Sequence, residues 1–328
     1  RLWLDDFAEF MAIKEHFGNQ ALQKWADKKA VARDPKTLEK YRTMLADQIQ
    51  YFKVTQYFFF KQWGELKDYA SQRGIKIIGD MPIYVAADSV EVWTKPELFQ
   101  LDKERNPLFV AGVPADQFSA TGQLWGNPLY DWEEHKKQGY TWWIHRIEES
   151  FKIYDVLRID HFKGFSDYWQ VDGKAEVAKD GSWQPGPGYD LFKAVKEQLG
   201  DLPIIAEDLG NIDDKARKLL TDCNYPGMKI LQFGFEDVSG ESLDSPHYCI
   251  PHSIVYTGTH DNDVTNGWYN SLTEQQQQYI NNYTHRHEDE SICQAMIRQL
   301  FATVSNTAIA TMQDVLDLPA SSRMNVPS

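Results

Sequence analysis

Three apolar runs in this chain end in carboxylates: Tyr154 to Asp160, Leu202 to Asp208, and Ser253 to Asp263. Short Val- and Ile-rich runs bounded by Gly, Pro and polar clusters read as buried strands, so each acid falls where a strand gives way to a loop. Asp160, Glu207 and Asp261 are the acids that count. Cleavage of a glycosidic bond needs a nucleophile, an acid/base and an anion facing a cationic transition state, and three carboxylates supply those parts. Arg158 lies two residues before Asp160, on the same face of an extended strand, where it can hold that carboxylate ionised for attack. Glu207 follows an apolar run whose burial would raise its pKa, as suits a group that first donates and then accepts a proton. His260 can hydrogen-bond sugar hydroxyls while Asp261 opposes developing positive charge. A divalent-metal reading of Thr259-His-Asp-Asn-Asp263 is the rival, but no second His stands nearby at ligand spacing. His161 falls in another loop, and His285 and His287 read as a solvated helix face. No phosphate-binding Gly-rich or Walker pattern is found.

Acids at strand carboxyl ends are where a (β/α)8 barrel keeps its chemistry. Strands are expected near 75–85, 154–160, 202–207, 227–233, 253–261 and 307–314, alternating with helices. Residues 1–74 read as a helical insertion region. Residues 86–135, punctuated by Pro and Gly, read as a long lid or insertion loop. The chain thus reads as a single catalytic barrel over 1–328. Six strands fall short of the eight that close such a barrel, so the expectation is an α/β fold, a (β/α)8 TIM barrel with helical and long-loop insertions, of which this chain is a fragment lacking the first two strands.

Composition narrows the partners. With 328 residues and 42% hydrophobic content the chain can bury a sizeable core. Its 48 acidic residues against 34 basic ones oppose nucleic acid and anionic membranes as partners. Eleven Trp and 16 Tyr exceed what a core needs, and exposed rings stack well on sugar faces. Cys223, Cys249 and Cys293 are odd in number and widely spaced, which suggests neither disulfides nor zinc and makes a cytoplasmic location the expectation. No apolar stretch approaches the ~20 residues of a membrane span.

At these motifs the sequence resembles the 4-α-glucanotransferases of glycoside hydrolase family seventy-seven, relatives of the α-amylases. The resemblance runs through Trp3-Leu-Asp-Asp-Phe7, Gly79-Asp-Met-Pro-Ile-Tyr84, Gly122-Gln-Leu-Trp-Gly-Asn-Pro-Leu-Tyr130, Arg158-Ile-Asp-His-Phe-Lys-Gly164, Ala206-Glu-Asp-Leu-Gly210, Thr257-Gly-Thr-His-Asp-Asn-Asp263 and Arg323-Met-Asn-Val-Pro327. It implies that Asp160 is the nucleophile, Glu207 the acid/base and Asp261 the transition-state stabiliser. Arg158, His260, Asp80 and Asn325 would line the sugar subsite beside the cut bond, with Tyr84 also touching substrate. Gln123 and Trp125 would belong to a lid over the acceptor side. Lys163 stands where the family commonly has Arg, keeping the charge but losing the bidentate fork. Family members also carry an N-terminal part with the first two strands and a short Trp-rich ending, absent between Arg1 and Ser328. The implied reaction is retaining transfer of α-1,4-glucan segments from a donor to the 4-hydroxyl of a glucan or glucose, with no cofactor or metal. An amylase-type hydrolase and a non-catalytic glucan-binding barrel fragment are the alternatives.

Overall fold

The structure, a computed structural model, describes residues 3–115, 120–210 and 212–326. The strands are β1 (Ile78–Pro82), β2 (Phe109–Val113), β3 (Gln123–Pro128), β4 (Val156–Asp160), β5 (Asp167–Asp172), β6 (Ser182–Pro185), β7 (Ile204–Ala206), β8 (Gly227–Ile230), β9 (Ser253–Tyr256) and β10 (Thr307–Ile309). The fold is mixed α/β. Parallel strands form two sheets of three, ordered β1-β4-β7 and β10-β9-β8, and no closed ring of strands is found among the described residues. The chain divides into two compact units, residues 1–204 with 213–223, and residues 205–212 with 224–328.

The first unit opens with helices Leu4–His16, Pro35–Met44 and Ala46–Ser71. Asp5 and Asp6 in the first turn and Lys14 and His16 in the last complement the dipole of the first helix. Pro35 begins the second helix, capped by the Asp34 carboxylate accepting the Thr37 N–H at 2.9 Å. Phe10, Trp25 and Trp93 pack as a buried aromatic group, ring centroids 5.6 to 6.2 Å apart.

β1 and β4 pair in parallel with Asp80 opposite Arg158 and Pro82 opposite Asp160. That register is pinned below the site. The Asp155 carboxylate accepts the Ile77 N–H at 2.8 Å, and Gly79 lets the Tyr154 ring lie against the strand, where a Cβ would come within 2.0 Å of a ring carbon. Trp63 of the long helix donates its indole N–H to the Ile153 carbonyl at 2.8 Å, fixing the entry to β4.

The region 86–135 departs from expectation. Instead of one long loop it holds helix Val90–Thr94, β2, β3 and helix Trp132–Lys137. β2 and β3 join β5 and β6 in an antiparallel sheet ordered β3-β2-β5-β6, so the Gly- and Pro-rich stretch 181–188 also contains a strand. Val110, Val171 and Ala178, with Leu124 and Trp169 against them, fill its small core.

In the second unit β9 is the central strand and is buried throughout. Leu231, Phe235, Val255, Trp268, Ile280, Met296 and Leu300 form the core between this sheet and its helices. Two of those helices, Glu274–Thr284 and Ile292–Phe301, start with reciprocal capping boxes from Thr273/Gln276 and Ser291/Gln294. Several expected strands are shorter than read: residues 231–236 are helical, β9 ends at Tyr256, and Met312–Val315 forms a helical turn. After β8 the chain turns directly into a helix, and after β10 Asp314 lies buried within the helical turn.

Candidate active site

Parallel register brings Asp80 and Arg158 side by side, and the two-residue period of β4 puts Asp160 on Arg158's face. The Arg158 guanidinium donates from Nη1 to both Asp80 oxygens at 2.7 and 2.8 Å, and its Nη2 lies 2.9 Å from Asp160 Oδ1. Arg158's side chain is 9% exposed while the two carboxylates are 40% and 41% exposed. A buried cation thus holds both oxygens of Asp80 and one of Asp160, while both side chains stay partly exposed. That suits a nucleophile, which must be fixed and still reachable.

Next to Asp160, His161 adopts a left-handed backbone (φ 52°) that turns the chain out of β4. Burial pushes its imidazole down to about 4, with the Lys163 charge adding to the effect, so the ring is neutral near pH 7. Trp125 stands edge-on to it at 4.8 Å and donates its indole N–H to Gln123 Oε1 at 3.2 Å. Gln123 and Trp125 share a face of β3, which explains their pairing. Tyr84 is buried, stacked on Tyr130 at 6.0 Å, with its ring 6.3 Å from Trp125, and burial raises its phenol well above the ordinary value. The loop after β1 is held from three directions: Tyr130 Oη donates to the Ile83 carbonyl at 2.7 Å, Arg146 to the Pro82 carbonyl at 2.7 Å, and Asn127 Nδ2 to the Val85 carbonyl at 2.9 Å.

Lys163 reaches Asp167 at 2.5 Å and Asp213 at 2.8 Å. Its hydrogen bond holds the Asp213 carboxyl down to about 2, and although burial works against the ammonium, the two acids raise it. A point charge between two acids needs no guanidinium fork.

Glu207 follows β7 at once, half-buried, and accepts the Leu209 N–H at 2.8 Å. Its neighbour Asp208 turns the other way, accepting the Met228 N–H at 2.7 Å over Gly227, where a Cβ would come within 2.4 Å of a carboxylate oxygen. Burial raises the Asp208 carboxyl. Two adjacent acids thus bond different backbone amides, Asp208 that of Met228 and Glu207 that of Leu209.

Asp261 crests a loop after β9, its side chain 55% exposed. His260 Nε2 is 3.4 Å from Asp261 Oδ2. Asn325 Nδ2 donates to the His260 carbonyl at 2.9 Å, with Asp261 Oδ1 3.4 Å away, and Arg323 donates to the Asp261 carbonyl at 2.8 Å. Beneath the crest, Gln232 donates to the Asp263 carbonyl at 2.9 Å, and Gly258 lies against its amide. The buried Asp314 carboxylate accepts the Thr257 hydroxyl at 2.7 Å and the Thr265 N–H at 2.9 Å.

Asp80, Tyr84, Gln123, Trp125, Arg158 and Asp160 lie in the first unit, and Glu207, His260, Asp261 and Asn325 in the second. Sequence reasoning missed the support: His161 against Trp125, Asn127, Gln232, Asp314 and Arg323. His161 adjoins Asp160, and Asn127 and Arg323 stand in motifs that carry the family resemblance, whereas Gln232 and Asp314 carried no local signal. Among the described residues, a group of His and acidic side chains close enough for a metal ion is His145, Glu148 and Glu149, on helix Thr141–Ile153 and remote in sequence from His260 and Asp261. Pro327 lies outside the described residues.

Each unit thus carries acids at or after parallel strands: Asp80 and Asp160 on a buried arginine in the first, Glu207 and Asp261 in the second. The chain belongs to the 4-alpha-glucanotransferase family, glycoside hydrolase family 77, whose sequence model matches residues 1–328. It is 54% identical over 327 residues to a 4-alpha-glucanotransferase of Streptococcus pneumoniae, covering 99% of this chain and 65% of that protein. A 4-alpha-glucanotransferase of Clostridium butyricum is 44% identical over 330 residues, 99% of this chain and 67% of its own. Among solved structures, the amylomaltase of Streptococcus agalactiae in complex with acarbose matches with a TM-score of 0.97 and 59% identity, over 99% of this chain and 66% of that one. The chain therefore spans about two thirds of the length of these relatives. Among the described residues no helix is long and apolar enough to cross a membrane.

Proposed function

We propose that this chain carries the catalytic centre of a retaining 4-α-glucanotransferase, a cytoplasmic protein that moves α-1,4-glucan segments onto the 4-hydroxyl of a glucan or glucose. The observation that carries the reading is the Arg158 clamp on Asp80 and Asp160 at the carboxyl ends of paired parallel strands, in a chain that matches the family along its whole length. The six parallel strands β1, β4, β7, β8, β9 and β10 are read as six of the eight in a (β/α)8 barrel.

Asp160 attacks the anomeric carbon while Glu207 protonates the departing oxygen, giving a covalent glycosyl-enzyme. Glu207 then takes the proton of the incoming 4-hydroxyl as that oxygen displaces Asp160, so configuration is retained. Asp261 faces the positive charge that builds at the sugar ring in both steps. Asp80 and His260 are each read as binding sugar hydroxyls, and the Trp125 and Gln123 pair as covering the acceptor side. Transfer outruns hydrolysis only if bulk water is kept from the intermediate, and Trp125 is read as helping to do so.

Maltotriose tests the reading. A ladder of longer and shorter glucans with little gain in reducing ends is expected from the protein as its open reading frame encodes it. A steady rise in reducing ends without longer products would mark a hydrolase, and unchanged maltotriose that nonetheless binds would mark a glucan-binding protein.

A further inference from the structure

The loop bearing Asp261 is secured in two different ways. Its flanks are tied from inside: Thr257 and Thr265 bond the buried Asp314 carboxylate, Gln232 holds the Asp263 carbonyl, and the Asn262 side chain accepts the Thr259 N–H at 2.8 Å. The crest itself, His260 and Asp261, is exposed, and from within the loop it has the Asp261 N–H donating to Thr259 Oγ1 at 3.2 Å. What reaches its carbonyls from outside the loop is the segment 323–325. Arg323 donates from Nη2 to the Asp261 carbonyl at 2.8 Å and from Nε to the Asn325 carbonyl at 2.8 Å, so one edge of a planar guanidinium joins two stretches of backbone. That join sets Asn325, whose amide reaches the His260 carbonyl and the edge of the Asp261 carboxylate. The carboxylate's own side-chain contacts are long, 3.4 Å to His260 and 3.4 Å to Asn325, and do little to fix it alone.

We propose that Arg323 is a positioning residue for the third carboxylate: it touches no substrate, and by clamping the Asp261 backbone to residues 323–325 it holds that carboxylate where charge develops. The inference rests on the transfer reading above. An anion that stabilises a transition state acts through its placement, and a side chain free to swing on an exposed crest loses most of that effect. Loss of the clamp should therefore lower kcat and leave donor KM nearly unchanged, since the ground-state sugar carries no charge for Asp261 to meet.

The test is a double-mutant cycle on maltotriose transfer, in the protein as its open reading frame encodes it, with Arg323→Ala, Asp261→Asn and both together. Asp261→Asn should lower kcat by a factor on the order of a thousand, as for loss of a preorganised electrostatic group. Arg323→Ala should lower it about 10- to 100-fold with donor KM within about twofold, and in the Asp261→Asn background the same change should cost less than about twofold, because residues acting as a unit are not additive. Arg323→Lys should recover only part of the loss, since an ammonium is a single point and the clamp needs a fork; it also serves where the alanine variant folds poorly. An equal Arg323→Ala loss in both backgrounds overturns the inference and leaves the transfer reading standing. So does a loss that follows the urea midpoint across the variants. Wild-type kcat in Asp261→Asn overturns the role of Asp261 itself, and the inference with it.

Discussion

At the residue scale the decisive contacts are the two ends of Arg158. Asp160→Asn keeps the shape of the nucleophile but cannot form the glycosyl ester, so transfer should disappear while maltodextrin binding, followed by calorimetry, largely survives. Turnover near the wild-type rate would remove Asp160 from that role. Glu207→Gln should fail with maltotriose yet keep activity toward α-glucosyl fluoride, whose leaving group departs without a proton. Equal losses on both donors would assign Glu207 elsewhere. These acids were legible in the sequence because a carboxylate directly after an apolar run announces both its element and its position. The ties of Arg323 to Asp261 and of Asp314 to Thr257 were not, because the partners lie 62 and 57 residues apart in the chain and no local pattern links them.

Elements explain why some of the fold was readable and some was not. In β4, β7 and β9 the buried residues run together, as in strands covered on both faces, whereas β1 alternates with Asp80 at its centre. β3 and β6 give no such signal: most of their residues are exposed or half-exposed, and Gly126, Pro128 and Pro185 mimic a loop. Their strand character comes from pairing to β2 and β5, which tertiary structure supplies. Where β1 passes Tyr154, Gly79→Ala would drive a Cβ into the ring at 2.0 Å and should cost about 1–3 kcal/mol by overpacking, read as a lower urea midpoint. An unchanged midpoint would mean that the ring moves aside freely. Trp125→Ala should raise the ratio of hydrolysis to transfer as total turnover falls, because water gains access to the glycosyl-enzyme. A fixed ratio with lowered stability would make Trp125 only an anchor for its strand.

Over the molecule as a whole, a buried histidine, His135, and a half-buried one, His161, make stability depend on pH. Burial lowers His135, enclosed by Tyr130, Trp132 and Trp142, to about 4, and lowers His161 to about the same value. Both folded values lie below the ordinary 6.5, so the unfolded chain takes up protons first as the solution is acidified. The stability they contribute is whole above about pH 6.5 and is lost as pH falls through about 4. The urea midpoint should drop across that window, and His135→Phe, which fits the same aromatic surroundings, should flatten part of the drop. An unaltered slope would assign the acid sensitivity to other groups. Asp213, held near 2 by Lys163, adds a later step: its share is present above about pH 4 and disappears toward pH 2, and Asp213→Asn should erase it.

The antiparallel sheet has a thermodynamic consequence for the proposed acceptor side. Trp125 sits on a strand paired to β2, and β2 in turn pairs with β5, which begins seven residues after Asp160. The backbone that carries the ring is thus held by strand pairing. A sugar docking there, as proposed, would bear none of the entropy that ordering a free loop would require. Acceptor binding should accordingly show a small entropic penalty in calorimetry. Gly112→Ala, which would set a Cβ 2.4 Å from the Gln123 carbonyl and loosen β3 from β2, should raise that penalty without touching any sugar contact.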